Sequence, residues 1–462
     1  MIDQLLDLDQ MLLDFVGPAF SDIGAPARQI VRLSRAFLLI SIKNVRSENF
    51  LVNTELKNNL LYRWFVRLEK DETINDSFRV AMVRLRARLA SRLTHEQWQA
   101  FLAETVALAQ AQHRLLPIAD LKPETDSTSA EAVSAKPRPD TGPPEVGEVT
   151  FDLTPAKARA RILDQRDKPK TQEQGQQPAA KEQSKKPAAK NKKLPTSQGD
   201  PDAYWITKNR RTAAGKIAET TLGYEVGFFS TQSQGLITGV LVREASQANK
   251  TEFTNWVDRY ELDWKLGPGQ LEVSADGEFS SGEILKHFEQ KQQRLCVPPV
   301  EPHVAKGKLD HHYFTYFAEE NLFVCHEGAE LKRVGYDKQK KRTRYSAPAA
   351  ACANCPTANL CKGGKGPRKV SRSDFAEQFA RAKEQATTDQ HRDARWAQHV
   401  YGEGSFAHSN CNHGLDHARY YGQKRMLFQA VFTGAAMNLK KAFRFLQARL
   451  SGVTSSTDPV PT

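Results

Sequence analysis

The chain of 462 residues is long enough for two or three domains, and its hydrophobic fraction of 39% is sufficient for buried cores. Lysine and arginine exceed aspartate and glutamate by 66 to 54, which gives a formal net charge of +12 and a pI near 9.3. A basic balance favours a polyanionic partner, although basic linkers that only keep a protein soluble give the same balance. No secretion signal is evident, and no window approaches the roughly 20 apolar residues that span a bilayer. We therefore expect a cytoplasmic protein with no membrane partner.

Residues 1–118 are predicted to form an all-helical domain. No proline occurs between Pro26 and Pro117, and apolar residues recur at helical spacing. Predicted helices run through residues 27–40, 60–68 and 80–89, and a fourth opens at the capping box that Thr94 forms with Gln97. The third helix carries a group of arginines, namely Arg79, Arg84, Arg86 and Arg88. These are candidate contacts for nucleic-acid phosphates, although an arginine-rich helix is also typical of a solvated surface.

Two low-complexity segments follow, and a single predicted strand lies between them. Residues 119–147 are rich in Pro, Ser, Thr, Glu and Ala, and residues 164–199 are dominated by Lys, Gln, Ala and Pro. Neither segment has enough apolar surface to order itself, so both are predicted to be disordered linkers. In residues 148–163, Val149 and Phe151 alternate with polar residues, as they do in a strand.

Residues 200–300 change to a mixed pattern. Predicted strands cover residues 223–229, 236–242 and 271–276, and predicted helices cover residues 253–260 and 281–291. This order, with the isolated strand ahead of it, predicts a mixed sheet flanked by helices.

Two acidic residues lie on or at the end of predicted strands. Asp276 ends an apolar strand and precedes a turn that opens the next helix, while Asp152 lies within the isolated strand. Ligand sites of α/β sheets gather at such strand ends, although an acid in this position is more often a cap or a turn former. Carboxylates at two strands are suited to Mg²⁺, which prefers oxygen ligands.

Several motifs resemble insertion-sequence transposases of the DDE type. Glu403-Gly-Ser-Phe-Ala, His413-Gly-Leu, Ala418-Arg-Tyr and Ala435-Ala-Met-Asn-Leu-Lys resemble that family's last-acid segment. Val273-Ser-Ala-Asp276 resembles its second-acid strand, and Asp152-Leu-Thr-Pro resembles its first-acid strand. Val45-Arg-Ser-Glu48 and Asn59-Leu-Leu-Tyr-Arg-Trp-Phe resemble its N-terminal helical domain.

The resemblance implies a ribonuclease-H-like catalytic core that cleaves DNA and transfers strands. It implies that Asp152, Asp276 and Glu403 hold two Mg²⁺ ions, which activate a hydroxyl and stabilise the leaving oxygen. The implied partners are double-stranded DNA, as terminal inverted repeats and as target, and a second copy of the chain bound to DNA in the bacterial nucleoid. Further candidate DNA contacts are Lys365, Arg368, Lys369, Arg419 and Lys424.

The sequence departs from the family at three places. Where relatives carry arginine four residues before the last acid and lysine seven after it, this chain has His399 and Asn410. Leu153 replaces a small residue. Asp202 is the alternative first acid, and Asp152 is preferred because Asp202 lies in an Asp-Pro-Asp turn with no strand to fix it.

Four cysteines have a spacing compatible with a zinc site. Cys352 and Cys355 form a CxxC pair, Cys361 follows, and Cys325 precedes them after an apolar run. Four ordinary reduced thiols are the alternative. Cys296 is predicted to lie in the core, and Cys411 has no evident partner.

The predicted fold class is therefore mixed α+β. An N-terminal helical domain (1–118) is followed by a linker (119–147), the first catalytic strand (148–163) and a basic linker (164–199). A ribonuclease-H-like core (200–300), a Cys-rich zinc-ribbon-like insertion (301–370), C-terminal helices with the last acid (371–450) and a disordered tail (451–462) complete the chain. Two other functions stay open, namely a ribonuclease-H-like nuclease without strand transfer and an inactive, transposase-derived DNA-binding protein.

Overall fold

A computed structural model describes residues 8–20, 27–114, 146–158, 200, 202–212, 215–243, 249–300, 309–361 and 366–451. Outside the described residues lie all of the predicted linker 164–199, residues 119–145 of the predicted linker 119–147 and residues 452–462 of the predicted tail 451–462. The chain divides into two compact units. Unit 1 comprises Met1–Val146, Thr150–Gln247 and His399–Thr462, and unit 2 comprises Gly147–Val149 and Ala248–Gln398.

Unit 1 begins with the predicted helical domain. Its helices are α1 (Leu8–Val16), α2 (Ala27–Ile42), α3 (Glu48–Phe50), α4 (Leu56–Asn58), α5 (Leu60–Phe65), α6 (Asp76–Arg92) and α7 (His95–His113), with a π-helical segment, Leu51–Glu55, between α3 and α4. The capping box predicted at α7 is confirmed, because Thr94 accepts the Gln97 amide while the Gln97 side chain accepts the Thr94 amide. The helix predicted over 60–68 is shorter than expected. It ends at Phe65, and Leu60, Leu61 and Trp64 on it are exposed rather than buried.

The sheet of unit 1 is built around one long strand. Its strands are β1 (Glu148–Lys157), β2 (Tyr204–Thr212), β3 (Gly215–Thr231) and β4 (Ile237–Val242). Strand β3 pairs antiparallel with β2 through its first half and with β4 through its second half, and it also neighbours β1. The β3–β4 hairpin was predicted. Strand β2 was not, because its apolar residues are confined to Tyr204-Trp-Ile206 and the polar residues that follow become a strand only through pairing with β3.

A cluster of aromatic rings forms the core of unit 1 around one long helix, α15 (Gln423–Ser451). Phe428 and Phe432, one turn apart on α15, are buried. Their ring centroids lie 4.9 and 5.9 Å from that of Phe37 on α2, and Phe101 on α7 lies 5.6 Å from Phe432. Burial of large rings in this arrangement is the main stabilising contribution that joins the N-terminal helices to α15.

The same helix also binds the edge of the sheet through a buried amide. The Asn438 side chain accepts the Ile237 amide at 2.8 Å and donates to the Ile237 carbonyl at 2.9 Å. It also donates to Thr105 Oγ1 at 3.0 Å. Asn438 therefore satisfies both backbone groups at the first residue of β4, which explains a polar residue within an otherwise apolar helix face.

Unit 2 contains two α-helices packed with a short parallel pair of strands, followed by an antiparallel sheet and further helices. Its strands are β5 (Glu272–Ala275), β6 (Arg294–Cys296), β7 (Phe314–Phe317), β8 (Leu322–Cys325), β9 (Glu330–Asp337), β10 (Arg342–Ser346) and β11 (Lys369–Ser373). Its helices are α8 (Asn249–Trp264), α9 (Gly282–Gln290), α10 (Ala349–Ala353), α11 (Ala358–Cys361), α12 (Ala376–Gln385) and α13 (Asp389–Ala397). Strands β5 and β6 are parallel, and the Glu272 amide donates to the Gly147 carbonyl just before β1.

The Cys-rich region forms a five-stranded antiparallel sheet in the order β11-β10-β9-β8-β7. A bulge between Arg344 and Tyr345 shifts the register between β10 and β9. The small core beneath the sheet contains Phe314, Phe323, Leu331, Tyr345 and Cys361. The fold class is mixed α+β with N-terminal helices, as predicted. No helix among the described residues combines the length and apolar character needed to cross a membrane.

Candidate active site

Asp152 lies within strand β1 of unit 1. The neighbouring Phe151 and Leu153 side chains are buried, and Phe151 packs 4.8 Å from Phe229 of β3 between ring centroids. Asp152 is half-buried, and its Oδ1 accepts the Leu153 amide at 2.8 Å. The carboxylate is thus carried by a paired strand rather than by a loop, which is the rigid support that a ligand position needs.

Glu403 lies at the start of a helix in the same unit. It ends a π-helical segment, Gln398–Glu403, and α14 (Gly404–His413) follows directly. Its side chain is exposed, and Oε2 lies 3.0 Å from His399 Nδ1, one turn earlier. π-Helical segments within α-helices occur frequently at functional sites.

The turn between β3 and β4 supports the segment that carries Glu403. Gly235 in this turn has φ +62°, and an added Cβ would come within 2.5 Å of the Tyr401 ring. Lys441 of α15 donates to the Gln234 carbonyl at 2.5 Å and lies over Tyr401. Gly235 is therefore required both by its backbone conformation and by the close approach of Tyr401.

Helix α14 packs beside strand β1. Asn410 Nδ2 donates to Thr154 Oγ1 at 3.5 Å, and backbone hydrogen bonds join Lys157 to Asp416 and Ala418 just beyond the helix. Thr154 lies two residues after Asp152, so both point to one face of β1. Asn410 lies seven residues after Glu403, so both lie on one face of the helical segment. The Thr154–Asn410 contact therefore joins the face of β1 that carries Asp152 to the face of the helical segment that carries Glu403.

The two departures that replace a basic residue have partners in this structure. His399, in the place of an arginine, pairs with the Glu403 carboxylate, and Asn410, in the place of a lysine, contacts Thr154. The Asn410 Oδ1 atom is buried without a hydrogen-bond partner in the described structure.

Asp276 belongs to unit 2, where it follows the fully buried strand β5. It is exposed and caps a short 3₁₀ turn, since its side chain accepts the Gly277 amide at 2.5 Å. The preceding carbonyl of Ala275 accepts a hydrogen bond of 2.6 Å from Arg395 of α13. The cap accounts for one carboxylate oxygen, and the exposed position leaves the group accessible to a ligand.

The alternative first acid, Asp202, has a structural role. It is exposed just before β2, and its Oδ2 accepts the Gln423 amide at 3.0 Å at the first residue of α15. Asp200 beside it is buried and accepts the Tyr224 hydroxyl and the Gly422 amide. Desolvation and Asp200 together raise the pKa of Tyr224. The acidic pair therefore stabilises the N-terminus of the long helix.

The prediction that no strand lies near Asp202 was wrong, because β2 begins at Tyr204.

The arginines of α6 differ in what they contact. Arg86 pairs with the buried Glu48 and lies 3.9 Å above the Tyr420 ring, and Arg79 pairs with Asp76 at 2.6 Å. Arg88 lies 4.6 Å above the Phe20 ring, and Arg84 is exposed. Arg84 and Arg88 are thus the better placed of the predicted DNA contacts, because Arg86 is held by contacts within unit 1.

The other predicted DNA contacts also divide into held and exposed side chains. Arg368 donates to the Cys361 carbonyl at 2.6 Å, and Arg419 donates to the His413 carbonyl at 2.7 Å. Lys369 and Lys424 are exposed. Lys365 lies outside the described residues.

The four cysteines of the predicted zinc site lie around Cys361, which is buried in the small core of unit 2. Burial raises the pKa of the Cys361 thiol, and the other three thiols raise it further. Cys325 begins a tight turn in which the Ala329 amide donates to its Sγ at 3.3 Å. Among the described residues, however, the group of three or more ligand atoms lying within 4.8 Å of one another is Asp310, His311 and His312. The four cysteines do not form such a group.

Two polar groups of unit 1 were not recognised as functional or structural from the sequence. One is the Asp200–Tyr224 pair, and the other is the contact between His413 and Lys440, 3.4 Å between nitrogens. The periodicity of an apolar helix gives no signal for such pairs. Only their place in the family motifs, His413-Gly-Leu and Asn438-Leu-Lys440, marked two of these residues.

Comparison with known proteins agrees with the motifs. The family model described as "Transposase DDE domain" matches residues 324–443, and the model described as "Transposase domain (DUF772)" matches residues 1–87. No curated protein matches the chain. Among solved structures, the piggyBac transposase synaptic complex with hairpin DNA aligns over 100% of this chain and 86% of that chain, at 9% identity and a TM-score of 0.28. The two family matches, one at each end of the chain, are both to transposase domains and support its assignment to the DDE-type insertion-sequence transposases.

Proposed function

We propose that this transposase cleaves DNA at the ends of an insertion sequence and joins the freed 3′ ends to a target. The observation that carries the proposal is the match to the DDE domain over residues 324–443, which contains Glu403. The contact between Thr154 and Asn410 supports it, because it brings the Asp152 face of β1 to the Glu403 face of the following helix.

We propose Asp152, Asp276 and Glu403 as the ligands of two Mg²⁺ ions. The donor set fits this cation, since all three are carboxylates and two of them are exposed. When bound, such a pair of ions activates the attacking hydroxyl and stabilises the leaving oxygen.

The side chains around Glu403 orient its carboxylate. When His399 carries its proton on Nδ1, the ring donates to Glu403 Oε2 and leaves Oε1 to a ligand. Tyr401, held between Gly235 and Lys441, fixes the backbone of the same segment. These residues hold the carboxylate in place, and they are not proposed to touch the DNA.

The proposed partners are double-stranded DNA and a second copy of the chain. Arg84, Arg88, Lys369 and Lys424 are proposed to contact DNA phosphates, because each is exposed. Arg79, Arg86, Arg368 and Arg419 have partners within their own unit, so we propose that they position these surfaces rather than contact DNA.

Incubation of the purified protein with end-bearing DNA and Mg²⁺ tests the proposal. We expect strand cleavage that a chelator abolishes, and a loss on the order of a thousandfold in the Asp276→Asn and Glu403→Gln proteins, because loss of a metal ligand removes several kcal/mol of transition-state stabilisation. Glu278→Gln, in the same exposed turn as Asp276, is the matched control and should cleave normally.

The products separate the remaining functions. Cleavage with no joining would identify a nuclease without strand transfer. DNA binding without cleavage at any Mg²⁺ concentration would identify an inactive DNA-binding protein. Equal cleavage by the wild type and by Glu403→Gln would refute the assignment of the acids.

Structural zinc at the four cysteines is the second part of the proposal. The CxxC spacing of Cys352 and Cys355, the turn at Cys325 and the effect of the other three thiols on the pKa of Cys361 support it. We expect about one zinc per chain in protein washed with a chelator, and release of that zinc in a Cys352→Ser protein. Cys411 is exposed and should react with a thiol reagent in both proteins. Cys296 should stay unreactive, since burial raises its pKa to about 12. Chelator-washed wild type without zinc would remove this part of the proposal.

A further inference from the structure

A buried histidine holds a lysine at the far end of the helix that begins at Glu403. His413 is the last residue of α14 and is fully buried. Its Nδ1 lies 2.7 Å from the Ser41 carbonyl, which can only accept, so Nδ1 carries the proton. Its Nε2 lies 3.4 Å from Lys440 Nζ and accepts from the ammonium. Burial and the nearby Lys440 lower the pKa of His413 to about 3, so the ring is neutral and suited to this acceptor role.

Lys440 is the centre of a group of three cations in unit 1. Arg444 lies one turn further along α15, and Lys43 follows the last turn of α2, two residues after Ser41. Burial lowers the pKa of the half-buried Lys440, and the positive charges of Lys43 and Arg444 lower it further. Lys43 and Arg444 are exposed at the surface.

The half-buried ammonium of Lys440, beside further positive charges, is suited to an anionic ligand. Like charges one turn apart on a helix repel each other, and burial of an ammonium disfavours its charged form. A neutral acceptor such as His413 orients the ammonium without neutralising it, and an ammonium has three donors, of which His413 takes one. The remaining donors, together with Lys43 and Arg444, are suited to a phosphate group.

The position of the cluster relative to Glu403 indicates which phosphate of the DNA backbone it would contact. Helix α14 separates Glu403 from His413 by ten residues, which corresponds to about 15 Å, or about four base pairs along a duplex axis. Relatives carry a lysine seven residues after the last acid. This chain has Asn410 at that position, and its side chain contacts Thr154.

We propose that Lys440, with Lys43 and Arg444, binds a backbone phosphate of the substrate DNA a few nucleotides from the cleaved bond, and that His413 is the positioning residue of Lys440. The inference rests on the proposed function, because it assumes that DNA lies along α14. It gives a role to the His413-Gly-Leu and Asn438-Leu-Lys440 motifs.

Binding of a fluorescein-labelled duplex to the full-length protein, followed by anisotropy at several salt concentrations, tests the cluster. We expect Lys440→Gln to bind roughly three- to tenfold more weakly, with the slope of log K against log salt reduced by about 0.9, as for the loss of one phosphate contact. Lys338→Gln removes one charge from an exposed turn of unit 2 and is the matched control. It should leave the slope unchanged.

His413→Gln tests the positioning role. If His413 acts through Lys440, its substitution should weaken binding in the wild-type background and have little further effect in a Lys440→Gln background. A merely structural His413 would weaken binding equally in both backgrounds. If His413→Gln does not fold, the Lys440→Gln and Lys338→Gln comparison still decides the phosphate site.

The outcomes separate this inference from the proposed function. If the wild type binds and cleaves DNA and Lys440→Gln has the wild-type affinity and slope, the phosphate site is wrong and the transposase activity stands. If the slope changes as expected but no protein cleaves, the phosphate site stands and the catalytic proposal fails. A wild type that binds no duplex would overturn both.

Discussion

An Asp152→Asn protein is expected to lose DNA cleavage by on the order of a thousandfold, whereas Asp202→Asn should keep most of its activity. The reason lies in what the structure assigns to each acid. Asp152 is carried by β1, whose Thr154 contacts Asn410 of the helix that follows Glu403. Asp202 instead accepts the Gln423 amide at the start of α15.

The Asp202→Asn variant is the matched control, and it has its own expected effect. Asparagine also caps helices, so only the charge near the helix N-terminus is lost, at a cost of about 0.3–1 kcal/mol in the free energy of unfolding. Cleavage rates and thermal unfolding of both variants should be measured together. Normal cleavage by Asp152→Asn with a large loss in Asp202→Asn would reverse the assignment of the first acid.

An Asn438→Ala protein is expected to be destabilised by about 2–5 kcal/mol. Its side chain is fully buried and bonds both backbone groups of Ile237 as well as Thr105. Alanine would leave a buried donor and a buried acceptor of β4 unsatisfied, at a cost of about 1–3 kcal/mol each. Urea unfolding measures the loss, and a shift in midpoint with an unchanged slope would show that stability alone has changed.

Asn53→Ala, at an exposed position of unit 1, is the control and should unfold within about 0.5 kcal/mol of the wild type. An Asn438→Ala protein as stable as this control would show that the amide does not hold the sheet edge. Because Asn438 lies two residues before Lys440, the same variant would also bind DNA less well if α15 moves.

Local sequence signals predicted the parts of the fold that depend on local interactions. Helices α2, α6 and α7 follow from apolar periodicity, and the start of α7 follows from Thr94 and Gln97. The β3–β4 hairpin and β5 follow from short apolar runs. Strand β2 was not predicted, because only its first three residues are apolar and the rest of its length depends on pairing with β3.

For the candidate site, the motifs singled out Asp152, Asp276 and Glu403, but spacing along the chain could not say what surrounds them. The structure shows that Asp276 also caps a turn, that His399 pairs with Glu403, and that Asp202 caps α15. Likewise, four arginines on α6 were equivalent in sequence, yet Arg86 is held by Glu48 and Tyr420 while Arg84 is exposed.

The sequence by itself determined the family resemblance, the order of helical and mixed regions, and the candidate metal-binding acids, because motifs and periodicity are local properties. Only the tertiary structure decided which polar groups meet. The Asp152 strand packs beside the helix that follows Glu403, and Ser41, His413 and Lys440 form one hydrogen-bonded series although about 370 residues separate the first two. Such contacts depend on packing between distant segments, and no local pattern of residues predicts them.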